Sequence, residues 1–84
     1  MWIIDTAAST MVTDEPVYVK RVRWDDEGGA AGDNAVIQDA ASKVLWASTE
    51  AGANYVESDL IERWWYNGFK VPTLGGGVLY IELL

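Results

Sequence analysis

Toward the C-terminus the chain alternates. In Val78-Leu-Tyr-Ile-Glu-Leu-Leu84, Leu79, Ile81 and Leu83 fall on one side of an extended strand, and Val78, Tyr80 and Glu82 fall on the other. Upstream lies a second β-prone run, Asn67-Gly-Phe-Lys-Val-Pro-Thr-Leu74, joined to the first by Gly75-Gly76-Gly77. Glycine adopts positive φ without penalty, so this pattern predicts a hairpin with Phe69 and Val71 inward. Pro72 cannot donate to a ladder, which places its strand at an edge or a bulge. An apolar hairpin does not stand alone in water, so the preceding residues must supply a sheet to cover it.

Trp2-Ile3-Ile4 and Met11-Val12 predict two brief strand pieces around a small-residue break, and Thr13-Asp14-Glu15-Pro16 predicts a turn. Val17 to Trp24 is dense in β-branched and aromatic residues and predicts a strand. Its alternation puts Tyr18, Lys20, Val22 and Trp24 on one side and Val17, Val19, Arg21 and Arg23 on the other. Asp25 to Asn34 is a loop of acids, glycines and alanines. Ala35 to Asp39 and Lys43 to Ser48 predict a second hairpin about an Asp39-initiated turn, with Val36, Ile37, Val44, Leu45 and Trp46 leaving little polar surface on either side. Thr49 to Asn54 is a further turn-rich connection. In Tyr55 to Tyr66, Leu60, Ile61, Trp64 and Trp65 recur at helical spacing and Asp59 with Glu62 suits a capping box. Trp64-Trp65-Tyr66 is also a strong β triplet, and the β-rich neighbourhood tips the stretch toward strand. The expected fold is all-β: one domain over residues 1–84, a small antiparallel β-sandwich or jelly-roll-like barrel built from hairpins.

Composition narrows the chemistry. A chain of 84 residues hides only about 60–65% of its unfolded surface, so five Trp, four Tyr and one Phe are needed to make the core dense. Thirteen acidic against six basic residues give a net charge of -7, which opposes binding to nucleic-acid phosphate or an anionic membrane. The chain has no histidine and no cysteine, and it lacks a Ser-centred nucleophile motif. The glycine triplet lies between strands rather than ahead of a phosphate-cradling helix. A carboxylate pair such as Glu57 and Asp59 has the groups for acid–base work, but so short a chain scarcely builds a cleft around it. No catalysis and no cofactor are expected. The acids Asp25, Asp26, Glu27 and Asp33 lack the alternating spacing and closing glutamate of a helix-loop-helix calcium site, and they are expected to form a solvated loop rather than a metal site. Met1-Trp-Ile-Ile-Asp5 has no cationic leader and no apolar run of membrane-spanning length follows it, which points to synthesis in the cytoplasm.

Three stretches carry a resemblance: Pro16-Val-Tyr-Val-Lys-Arg-Val-Arg-Trp24, then Ala35-Val-Ile-Gln-Asp39 with its turn into Val44-Leu-Trp46, and Asn67-Gly-Phe-Lys-Val71 running on to Gly77-Val-Leu-Tyr80. From Pro16 to Leu84 the chain resembles a group of small structural proteins of tailed bacteriophages. The shared motifs are features of turns and core, and Glu57 to Tyr66 carries more charge and tryptophan than that group. The resemblance implies a β-sandwich located in the virion, of decoration or cement type, that stabilises the shell in many copies. Its partners would be the major capsid protein or other virion proteins, with a homo-oligomer, a trimer on three-fold shell symmetry, as the expected state. A neck, tail or fibre component is the nearest variant, and a carbohydrate-binding β-sandwich module is the alternative from another class. Aromatic anchors dominate interface energetics, so Trp2, Ile3, Trp64, Trp65 and Tyr66 are the expected contact residues, with Lys20, Arg21 and Arg23 as the basic part of the surface. In an extended strand Trp64 and Trp65 face opposite sides, so one of them should be exposed or covered by another subunit.

Overall fold

The computed structural model describes residues 1–52 and 55–84; the last two residues of the predicted Thr49 to Asn54 connection lie outside them. The described residues form strands β1 (Trp2–Ile4), β2 (Val17–Asp26), β3 (Asn34–Gln38), β4 (Val44–Thr49), β5 (Tyr55–Trp65), β6 (Lys70–Leu74) and β7 (Val78–Leu83). They form a four-stranded sheet in the order β1-β7-β2-β5 and a three-stranded sheet in the order β4-β3-β6, with every pairing antiparallel. The two sheets pack face to face as a small β-sandwich. Among the described residues, no helix is long and apolar enough to cross a membrane.

The core sits where alternation turns one side of each strand inward. Val19, Val22, Trp24, Trp65, Leu79 and Ile81 come from the larger sheet; Ala35, Ile37, Trp46, Phe69 and Val71 come from the smaller one and its approach. Trp24 is fully buried between the layers, with the Trp46 and Tyr55 rings edge-on to it at centroid distances of 6.2 and 5.7 Å. Such aromatic geometry adds to the area term. Phe69 and Val71 face inward as the sequence predicts, Pro72 lies on an edge strand, and Tyr55 to Trp65 is a strand rather than a helix.

The glycine-linked C-terminal pair is not a hairpin. β6 is bonded to β3, and β7 is bonded to β1 and β2, so Gly75–Gly77 carries the chain from one layer to the other. The corner is pinned on both sides. Gly75 N donates to Asn34 O at 2.7 Å, and Trp24 Nε1 donates to Gly76 O at 3.0 Å. The outer edge of β6 is occupied by the Met11-Val12 region, which is not a strand of its own: Ala8 N donates to Val71 O, Val12 N to Phe69 O, and Phe69 N returns to Thr13 O, all at 2.9–3.0 Å.

The faces of β2 also differ from simple alternation. Its register against β7 shifts between Val19 and Arg21, so Lys20 is the extra residue of a bulge. Val19 points inward before it, and Val22, Trp24 and Asp26 point inward after it. Lys20 therefore leaves the side of Val22 and Trp24, on which strict alternation placed it, and Val19 leaves the side of Arg21 and Arg23. A matching irregularity in β5 contains Glu62 at φ 52°.

β3 and β4 form the predicted hairpin, although Val44 is exposed because β4 is an edge strand. Asp39 Oδ1 accepts from Ala41 N and Lys43 N, each at 2.9 Å, and Ser42 takes φ 63°. The Lys43 amide, followed by that of Ala41, holds the Asp39 carboxyl below its ordinary pKa against the opposing effect of burial. A carboxyl depressed in the folded state stabilises above its unfolded pKa, and that stability is lost as pH falls through the folded value. Asp39→Asn keeps the acceptor oxygen but cannot titrate. Its thermal melting temperature is expected to fall less steeply than the wild type's as pH drops below about 4, a comparison that melts across the acid range provide directly.

Candidate functional site

The outer face of the four-stranded sheet gathers several of the predicted contact residues. Register aligns Ile3 with Tyr80, Tyr80 with Arg23 and Arg23 with Ser58, and in the neighbouring row Glu82 with Arg21 and Arg21 with Leu60. Partners in register project to the same side of a sheet. Ile3 is exposed on the edge strand β1. Arg21 pairs with Glu82 at 3.5 Å and reaches Ser58 Oγ at 3.1 Å, while the Arg23 guanidinium lies 4.4 Å from the Tyr80 ring centroid. Lys20 is exposed at the bulge.

Along β5 the face becomes apolar. Val56 and Leu60 are exposed, and Trp64, 49% exposed, stands opposite Tyr18 in register. The Trp64 ring meets Tyr18 edge-on at 5.6 Å and stacks on Tyr66 at 6.0 Å with an interplanar angle of 19°. Beside them lies an open groove of about 590 Å³ lined by Pro16, Val17, Tyr18, Trp64, Leu83 and Leu84.

Two of the predicted contact residues lie elsewhere. Trp65 is only 2% exposed and packs edge-on against Phe69 at 5.5 Å, so it belongs to the core. Trp2 is half-buried, with its ring edge-on to Phe69 at 5.3 Å. The sequence expectation that Trp64 and Trp65 face opposite ways is met; the burial assigns the exposed position to Trp64.

Glu57 and Asp59 point inward from β5 and meet the edge of the other sheet. Glu57 Oε1 accepts from the Ser48 hydroxyl and, at 2.6 Å, from Tyr55 OH; Asp59 Oδ2 accepts from Trp46 Nε1 at 2.9 Å. The Glu57 carboxyl and then the Trp46 indole hold Asp59 below its ordinary pKa. These carboxylates tie β4 to β5, where the two sheets have no backbone ladder between them.

A second acidic group closes one end of the sandwich. Asp26 ends β2, Asp33 precedes β3, and Glu50 follows β4. Glu50 N donates to Asp33 O at 2.8 Å and Gly32 N donates to Glu50 O at 3.0 Å, which extends the β3–β4 ladder by one step and fixes both acids. Carboxylate oxygens of the three residues lie within 4.8 Å of one another. Asp26 is 4% exposed, which corrects the expectation that the Asp25–Asn34 acids are all solvated, and Glu50 beside it is 3% exposed. Among the described residues, Asp26 Oδ2 and both oxygens of Glu50 meet no hydrogen-bond donor. Burial first, and then the facing Asp26 and Asp33 carboxyls, push the Glu50 pKa up to about 7. A raised carboxyl pKa opposes folding as pH climbs from the unfolded value toward the folded one, so this cluster on its own costs stability at neutral pH. Sequence spacing gave no sign of Glu50, a single acid at a strand end far from the Asp25–Asp33 loop.

Compared with known proteins, the chain matches no family model, no curated protein and no solved structure.

Proposed function

We propose that this protein is a non-catalytic assembly module that docks on a protein shell through the outer face of its four-stranded sheet. The observation that carries the reading is the Trp64–Tyr66 stack, exposed together with Leu60 and Leu84 and flanked by half-buried Tyr18, on a domain whose core is closed without them. Exposed aromatic rings already held in place by one another lose little rotamer freedom on binding, which suits them as anchors. The resemblance to tailed-phage structural proteins names the shell: a capsid built of many copies of its major protein, with this chain attached as a decoration or cement subunit in the virion. The neck or tail is the nearest variant. A self-associated state, with a trimer as the expected form, fits a shell of that symmetry, and β5 offers it a sheet edge whose ladder, among the described residues, runs to β2 alone.

The two arginines expected to carry the polar part of the contact have partners in their own chain, Glu82 and Tyr80. Apolar contact is therefore the main term of this reading, and attachment is expected to change little between low and high salt.

Trp64→Ala and Tyr66→Ala are each expected to weaken self-association or shell attachment by about tenfold or more, in line with hot-spot losses of ~2 kcal/mol. Because both side chains lie outside the core, the melting temperature should stay close to wild type. Sedimentation of the purified protein and co-sedimentation with shells read the effect. A monomer at high concentration that also fails to bind shells would refute the proposal. The same Trp64–Tyr66 stack is also a platform of the kind sugars bind, and glycan binding lost in Trp64→Ala with the fold intact would move the assignment to a carbohydrate-binding module.

A further inference from the structure

We propose that Asp26, Asp33 and Glu50 form a binding site for a hard divalent cation, calcium in preference to magnesium, and that the bound ion clamps the two sheets together at the end where the glycine corner passes between them. This inference is independent of the docking face.

Burial is the first support. Asp26 and Glu50 are each more than nine-tenths buried, and the oxygens they turn toward each other meet no donor among the described residues. Arg21 pairs with Glu82 on the outer face of the sheet, away from this end. Buried carboxylates without donors are costly unless a proton or a cation lies among them.

The second support is the close approach of backbone. A Cβ built at Gly29 would overlap Asp26 Oδ2 and lie 2.7 Å from Glu50 Oε1, and one built at Gly76 would lie 2.8 Å from Asp26 Oδ2. Two loops therefore pass against the carboxylates so closely that a larger residue at either glycine would push the Asp26 carboxylate aside.

The carboxylate oxygens lie within 4.8 Å of one another, close enough to share one ion. Enclosure favours calcium: magnesium dehydrates reluctantly and prefers sites where it retains water, unlike a cluster so enclosed. Three carboxylates supply three negative charges to two positive ones, so an ion removes most of the mutual repulsion. Asp26 belongs to the four-stranded sheet, and Asp33 and Glu50 flank strands of the three-stranded one, so coordination would join the layers.

The test uses the full chain stripped with a chelator and held near neutral pH. Calcium at about a hundredfold excess over its dissociation constant should raise the melting temperature by on the order of 10 °C, and magnesium should raise it less. Terbium, a calcium surrogate, should luminesce when tryptophan is excited, because Trp24 donates to Gly76 beside the cluster, and calcium should quench that emission by competition. Glu50→Gln should lose the calcium shift and bind terbium at least about tenfold more weakly. Glu27→Gln, which removes an exposed acid of the same loop, should keep both responses. If Glu50→Gln does not fold, Asp33→Asn at the half-buried rim replaces it with the same expectation. A melting temperature unmoved by calcium together with no terbium emission overturns the proposal and leaves a proton as what the carboxylates share. Equal responses in Glu50→Gln and wild type, or equal losses in Glu50→Gln and Glu27→Gln, also overturn it, because binding would then follow general acidity.

Discussion

Trp24→Ala is expected to destabilise the fold by about 3–5 kcal/mol. The indole is fully buried between the sheets, touches the Trp46 and Tyr55 rings, and donates to the Gly76 carbonyl in the corner. Truncation opens a large cavity and leaves that carbonyl without its partner, and the surrounding strands are too constrained to close over it. A domain of this size holds only about 4–13 kcal/mol in total, so a large share of the stability goes with one side chain. Trp24→Phe separates the two contributions: it keeps much of the volume but not the donor, and is expected to cost about 1–3 kcal/mol through the unmet carbonyl and the smaller ring. Urea denaturation with an unchanged slope reads both variants. A Trp24→Ala protein as stable as wild type would mean that the core does not centre on this residue.

What was legible in the sequence followed the range of the signal. Strand alternation is local, so Leu79 and Ile81 inward, Phe69 and Val71 inward, and the Asp39 turn could all be read from neighbouring residues. The Trp64–Trp65 pair gave half an answer. Alternation separates the two rings, but only the packing of Trp65 against Phe69 decides which of them is core. The bulge at Lys20 was invisible because it is defined by the spacing of β2 against β7, and no residue near Lys20 announces it. Its effect was to exchange the faces predicted for half the strand. The acidic cluster was hidden for the same reason: Asp26 and Asp33 belonged to a loop that looked solvated, and Glu50 reaches them only once β3 and β4 have paired. Gly75–Gly77 shows the limit of turn chemistry most directly. Three glycines mark a place where the chain reverses or bends, but whether the flanking strands pair with each other or with different sheets depends on β2 and β3, which lie far upstream.

That corner makes a second large effect predictable, because its glycines are held by steric contact as well as by torsion. Gly77 has φ 72°, and a Cβ built there would overlap Asp25 O and lie 2.7 Å from Asp26 Cα. The obstructing atoms are backbone of β2, paired on both sides with β5 and β7, so they cannot rotate away as a side-chain terminus would. Gly77→Ala is expected to combine the ~1–3 kcal/mol strain of a left-handed non-glycine residue with displacement of β2 or β7, and Gly77→Val to prevent folding at ordinary temperature. Gly32 provides the matched control. Its φ is 94°, but nothing lies within 4 Å of a Cβ built there, so Gly32→Ala should show the torsional cost alone. The difference between the two alanine variants in a denaturant titration therefore measures the contact between the corner and β2. Equal losses would show that the chain can cross between sheets by another path, and that the close packing of the corner against Asp25 and Asp26 contributes nothing to holding the layers together.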